Sequence, residues 1–272
     1  MNQRFKTAVV MAVVMIPILI FGDRFFIFDA FCLLLAIGAS IEFRTMLGKG
    51  HLLPKWLDIL TVVFTAVLFS TILAITHYGF DALLLLIALI GVLLFYSIVL
   101  VFKDDFKGVD FANALLSIFY CSIGFAAFAY LRQQSLMIVL YLLLVVMATD
   151  TAAYFFGIRF GKHKIAPKVS PKKSVEGSIA GLIAGTLLGA LFGFFAEIFG
   201  TGFHLIYYVM ISAFLSIIGQ IGDLVASKFK RGYEIKDYSN LFPGHGGVLD
   251  RFDSSMFAAM HLLFILILIQ VL

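Results

Sequence analysis

Nine stretches of roughly 15 to 26 mostly apolar residues follow one another along this chain, and no other feature restricts its fold as much. They fall near 7–21, 25–43, 56–76, 80–102, 111–130, 136–156, 179–199, 204–229 and 254–272. A bilayer core offers no water to unpaired backbone groups, and runs this long and uniformly apolar do not alternate as barrel strands do, so the spans are expected to be helices. Composition agrees: 62% of the 272 residues are hydrophobic, 13% are charged, and the mean hydropathy is +1.07. So few charged side chains cannot cover a water-soluble globule of this size, and disordered or collagen-like chains are excluded as well. The expected class is an all-α polytopic integral membrane protein of about nine transmembrane helices.

Positive charge sets the orientation, because short cytoplasmic loops collect Lys and Arg. With the N-terminus cytoplasmic, the inner side holds Arg4, Lys6, Arg44, Lys49, Lys55, Lys103 and Lys107. It also holds Arg159, Lys162, Lys164, Lys168, Lys172, Lys173, Lys228, Lys230, Arg231, Lys236 and Arg251. Of the 20 Lys and Arg, only Arg24 and Arg132 are left for the outer side. A missed or invented span would scramble this alternation, so the N-terminus is placed inside and the C-terminus outside. Arg4 and Lys6 ahead of an apolar run resemble a signal peptide, but the following Phe21-Gly22-Asp23-Arg24 offers no small-residue cleavage site, and a retained anchor is expected.

No internal repeat or separate soluble domain is visible, so 1–272 reads as one membrane domain. It has an N-terminal helical part, 1–135, and a catalytic part, 136–272, with cytoplasmic loops at 157–178 and 228–253. Cys32 and Cys121 each lie inside an apolar run, which argues against a disulfide or a cysteine metal site. Gly181, Gly185, Gly189 and Gly193 line one face of the seventh span, a groove for close helix packing within the chain or, alternatively, for self-association.

Asp150 and Asp223 lie late in the sixth and eighth runs, where a carboxylate is costly unless it meets a cation, a partner or water. Each is followed by a basic loop. Recessed acids below surface cations suit a divalent metal with phosphates above it. Asp29, Asp58, Asp81, Asp110 and Glu197 sit mostly near span ends and read as caps or interfacial residues, and Glu42 beside Arg44 reads as a surface ion pair. Loop 157–178 combines glycines, prolines and six cations, but it fails the phosphate-binding P-loop pattern, since His163 follows Gly161-Lys162. In the second loop Gly244, Gly246 and Gly247 flank His245 and permit close backbone approach to a ligand. Asp250 and Asp253, three apart, face one side if a helix begins there, and their carboxylates could converge with Asp223 on one ion.

These residues carry a family resemblance. Ser227-x-Phe229-Lys230-Arg231-x4-Lys236-Asp237-x-Ser239-x2-Phe242-Pro243-x-His245-Gly246-Gly247-Val248-x-Asp250-Arg251-Phe252-Asp253 resembles the phosphatidate cytidylyltransferase signature without departure. The segment Ser170-Pro171-Lys172-Lys173-Ser174-x-Glu176-Gly177 is similar to that family too. The likeness is strong over about 150–254, while the N-terminal half agrees only in being membranous.

The resemblance implies condensation of CTP with phosphatidate to CDP-diacylglycerol and pyrophosphate, a step of phospholipid synthesis in which the lipid phosphate attacks the α-phosphorus in line. It implies Asp223 and Asp250 as magnesium ligands, with Asp150 or Asp253 in a second ion site or outer shell; a monovalent companion such as K+ is left open. Lys172, Lys173, Lys230, Arg231, Lys236 and Arg251 would grip the two substrates' phosphates, Ser170, Ser174 and Ser227 would donate hydrogen bonds, and His245 would orient rather than act as an obligatory base. The expected partners are CTP, phosphatidate and membrane lipids, with no nucleic acid, in a homodimer. The expected location is a bacterial cytoplasmic (inner) membrane with the active site facing the cytoplasm. Rival classes are a CTP-dependent kinase of polyprenol or another lipid alcohol and a secondary transporter of an anion. A purely structural membrane protein would leave the polar loop unexplained.

Overall fold

The structure is a computed structural model that describes residues 3–22, 26–50 and 53–271. Among the described residues nine helices follow in order: α1 Gln3–Phe21, α2 Ile27–Leu47, α3 Lys55–Tyr78, α4 Leu83–Phe102, α5 Gly108–Gln134, α6 Leu136–Phe160, α7 Val175–Phe195, α8 Leu205–Gly232 and α9 Val248–Val271. Among the described residues, α2 to α9 are long and apolar enough to cross a membrane, whereas the apolar part of α1 is the shorter 5–21. The all-α membrane class is thereby met. Arg24, Phe25 and Leu272, which entered the expected spans and loops, lie outside the described residues.

Two elements were not expected. Loop 157–178 contains a short antiparallel hairpin, β1 Lys164–Ala166 and β2 Ser170–Ser174, with Lys164 opposite Ser174 and Ala166 opposite Ser170. Several helices also outrun their apolar cores: α6 continues to Phe160, α7 starts at Val175 and α9 starts at Val248. Hydropathy marks where lipid ends, but backbone hydrogen bonding continues past it wherever a cap is available. The seventh span's cap is Ser174, whose hydroxyl accepts the Gly177 N–H at 3.2 Å.

The chain divides into two compact units. The first comprises Met1–Tyr130 with Tyr233–Arg251. In it Leu57, Leu68, Val92, Tyr96, Val99, Phe106, Ala114 and Ile118 form a buried core. Hydroxyls pair between its helices: those of Thr61 and Tyr96 lie 2.6 Å apart, and those of Ser40 and Thr65 3.1 Å apart. Asp81 accepts the Leu83 N–H and Asp110 the Lys107 N–H, both near helix starts as expected of caps. Asp29 instead pairs with His77 at 2.7 Å, and Asp58 binds the buried Arg44 through Nε at 2.8 Å and through Nη2.

That pairing corrects the reading of Glu42. Arg44 is taken by Asp58, and Glu42 is not on the surface: it is 5% exposed. Two residues apart on a helix the side chains point about 200° apart, so neighbours in sequence are not neighbours in space.

The second unit comprises Leu131–Gly232 with Phe252–Leu272. Its centre is the glycine face of α7. A Cβ on Gly185 would lie 2.1 Å from Thr149 Oγ1, one on Gly189 2.4 Å from Val145 and 2.7 Å from Ser212 Oγ, and one on Gly193 2.5 Å from Tyr208. The groove therefore serves packing within the chain, with α6 and α8 as its occupants. Across it the Tyr141 and Ser212 hydroxyls lie 2.7 Å apart, as do those of Thr149 and Ser216, so the close approach made possible by glycine also satisfies polar groups in an apolar medium. Cys32 and Cys121 are buried free thiols.

Candidate active site

In the second unit the hairpin, α6, α8 and α9 bring charged groups together. On β2 Lys172 is exposed and Lys173 half-buried, and the Lys173 Nζ meets Asp223 Oδ2 at 2.6 Å. Asp223 Oδ1 also accepts the Ser227 hydroxyl at 3.2 Å, one helical turn on. Asp150 lies within electrostatic reach of Asp223 and Lys173 and hydrogen-bonds with Ser254. Asp253 lies within electrostatic reach of Asp223, Lys230 and Asp150, and its Oδ1 accepts the Ser254 N–H at 2.8 Å. Asp150 is exposed, and Asp223 and Asp253 are half-buried. The approach of α9 to α8 depends on Gly222, where a Cβ would lie 2.6 Å from Phe257 Cβ.

The hairpin is fixed at its base. Glu176 Oε1 meets His163 Nδ1 at 2.7 Å, and the Glu176 carboxylate accepts the N–H groups of Lys162 and His163 at 3.1 and 3.2 Å. At its turn, Val169 O accepts from Arg231 Nε at 3.3 Å. Ser174 is buried in its capping role, and Ser170 is half-buried opposite Ala166. Thus Lys173, Asp223, Asp150, Asp253, Lys230, Ser227 and Arg231 occupy one unit, three carboxylates among cations, with Lys172 at its surface.

The first unit holds the rest. Asp250, in the first turn of α9, accepts the Tyr238 N–H at 2.7 Å and the Gly247 N–H at 3.0 Å, both at Oδ2. The loop between folds back through Phe242 N–H to Gly246 O at 2.9 Å and His245 N–H to Phe242 O at 2.8 Å. This tight return requires Gly244 and Gly246, at φ 78° and 83°. His245 Nδ1 is buried without a hydrogen-bond partner among the described residues. Lys236 and Arg251 are exposed. Asp250 and Asp253 both lie in the opening turns of α9, which starts early enough for the expected three-residue spacing to be helical.

Glu42 is the buried acid beside this loop that sequence reasoning missed. Its carboxylate accepts the Ser239 hydroxyl at 2.6 Å and the N–H groups of Val248 and Leu249 at 2.8 and 2.9 Å. An acid inside an apolar run, near its end, was the available signal, the same kind that singled out Asp150. In this unit a cavity of about 280 Å³ also opens among Arg44, Lys107, Asp110, Asn113 and Tyr233.

No three His, Cys, Asp or Glu side chains among the described residues stand ready to enclose a metal ion. The acids of the second unit are nevertheless the hard oxygen donors that magnesium takes, and magnesium commonly fills most of its shell with water and substrate phosphate. The donor chemistry fits.

The fold and these two clusters define a polytopic membrane protein with acidic and cationic groups suited to phosphate chemistry. Residues 2–269 match the cytidylyltransferase family, and the chain belongs to it. It is 37% identical over 258 residues to a phosphatidate cytidylyltransferase of Staphylococcus haemolyticus, covering 94% of this chain and 95% of that one. A protein of the same name from Staphylococcus aureus (strain COL) is 35% identical over 263 residues, and one from Staphylococcus epidermidis 34% over 260, with the same coverage.

Proposed function

We propose that this chain is a phosphatidate cytidylyltransferase, joining CTP and phosphatidate to give CDP-diacylglycerol and pyrophosphate. The observation that carries the proposal is the placement of the signature: Asp223 paired with Lys173, with Asp150 and Asp253 about it, and Asp250 organising the loop that bears Lys236 and His245. The lipid phosphate supplies its own anionic oxygen as nucleophile, the α-phosphorus–oxygen bond to pyrophosphate breaks as the new bond forms, and no covalent enzyme intermediate is needed.

In the second unit magnesium would be held by Asp223, with Asp150 or Asp253 as a further or outer ligand, and would supply charge neutralisation at phosphate oxygens; Asp250, in the first unit, is the other ligand that the family resemblance implies. The remaining work falls to the chain's own groups. Lys173 holds Asp223 in place through a charged hydrogen bond and exchanges towards phosphate when substrate arrives. Lys172, Lys230, Arg231, Lys236 and Arg251 balance the triphosphate and the lipid headgroup, with Ser170 and Ser227 as donors. Ser174, buried as a helix cap, supports the hairpin that presents its neighbours. His245 orients through hydrogen bonding.

The positive-inside pattern supports a bacterial cytoplasmic membrane with the site at its cytoplasmic face. A homodimer rests on the family resemblance alone, since the α7 glycine face is filled within the chain.

The test is incubation of the purified, detergent-solubilised protein with phosphatidate, labelled CTP and magnesium, with a chelator control. Chelator-sensitive formation of CDP-lipid and pyrophosphate is expected. CDP release with phosphorylation of a polyprenol offered in parallel would replace this reading with the lipid kinase, and flux across sealed vesicles without CTP would replace it with the transporter.

A further inference from the structure

The first N–H groups of an α-helix have no partner within it, and a capping box normally answers two of them: the cap side chain takes an N–H of the first turn, and the residue three further on reaches back to the cap's own N–H. On its own, α9 carries half of such a box. Asp250 reaches back to the Gly247 N–H at 3.0 Å, but Gly247 has no side chain to return the bond. The missing half comes from α2, where Glu42 Oε1 accepts the Val248 N–H and Oε2 the Leu249 N–H. Only glycine at 247 leaves room, because a Cβ there would lie 2.2 Å from Oε1. The same carboxylate takes the Ser239 hydroxyl, so one side chain holds both ends of the loop between 239 and 248.

We infer that Glu42 is a positioning residue for the reaction: without touching substrate, it holds the first turn of α9, and through it Asp250, in register with the loop that carries His245. What that register is for rests on the cytidylyltransferase reading; the clamp itself does not. A carboxylate at a helix N-terminus is favoured electrostatically as well as by its hydrogen bonds, and an anchor from outside the loop keeps the loop's own side chains free for ligands.

The variants are Glu42→Ala and Glu42→Gln, and Gly247→Ser alone and combined with Glu42→Ala. Each is assayed as monodisperse protein for kcat, KM for CTP and half-saturating magnesium. Glu42→Ala is expected to lower kcat by about 10 to 100-fold, with KM for CTP changing less than about threefold and the magnesium requirement rising. Glu42→Gln should follow it, since its amide NH2 cannot accept from a backbone N–H. Gly247→Ser alone should be harmful, its Cβ meeting the carboxylate. In the Glu42→Ala background it has room, provides a local cap and should recover about fivefold in kcat.

Wild-type kcat and magnesium dependence in Glu42→Ala, or no recovery in the double variant, would overturn the inference. Should Glu42→Ala not survive extraction, Glu42→Gln decides by the same measurements. A wild type that makes no CDP-lipid would instead sink the proposed function. The clamp would then be judged by amide exchange at Val248 and Leu249, which loses protection in Glu42→Ala if the clamp exists and keeps it if not.

Discussion

On the proposed reading Asp223 and Lys236 supply opposite kinds of charge, and their substitutions should fail differently. Asp223→Asn keeps the shape of the side chain and loses the charge that pairs with Lys173 at 2.6 Å, so turnover should fall below detection while the protein remains inserted and monodisperse. Near-wild-type CDP-lipid synthesis would remove Asp223 from the metal site. Lys236 is exposed and lies two residues before Tyr238, whose N–H is tied to Asp250. Lys236→Ala should slow the reaction by about 10 to 1,000-fold and raise the CTP or phosphatidate requirement, if it steadies developing charge. An unchanged rate would reduce it to a loop cation facing lipid headgroups. Asp150 and Asp223 stood out in the sequence because an acid deep in an apolar run has few bland explanations. Glu42 stands in the same kind of run, yet the Arg44 nearby invited a local explanation. Its real partners are some 200 residues away, beyond the reach of local pattern.

Helices were legible where lipid dictates them and their ends were not. Hydropathy located the spans of α2 to α9, but caps such as Ser174 decided where α7 begins, and the ion pair with Asp223 decided that Lys173 rather than Lys172 turns inward. The glycine periodicity of α7 announced a packing face without naming its occupant. That face now makes an element-scale prediction. Gly189→Leu drives a side chain into Val145 and Ser212 and should destabilise by about 1–3 kcal/mol, lowering the apparent melting temperature of the detergent-solubilised protein. Gly91, on α4, has nothing within 4 Å of where its Cβ would be, and Gly91→Leu should stay within about 0.5 kcal/mol of wild type. Equal effects at the two positions would mean that the α7 groove is not a packing seam.

For the whole molecule, orientation in the membrane follows from charge and can be checked without any assay of activity. Cys32 and Cys121 are buried, so engineered thiols read out cleanly. In intact cells a membrane-impermeant reagent should label Thr201→Cys, in the turn between α7 and α8, and should reach Lys168→Cys, at the hairpin turn, only after permeabilisation. The reverse pattern would invert the topology. By itself the sequence determined the membrane class, the approximate spans and the signature that places the chain in its family, because each rests on properties summed over neighbouring residues: apolar length against bilayer thickness, loop charge, and fixed spacing within one segment. Tertiary structure alone decided which carboxylates share a unit, which groove α6 and α8 fill, and that an acid on α2 completes the cap of α9. Those outcomes depend on hydrogen bonds a few ångströms long between residues far apart in the chain, and a hydrogen bond's partner is set by where the helices pack, not by what stands beside it in sequence.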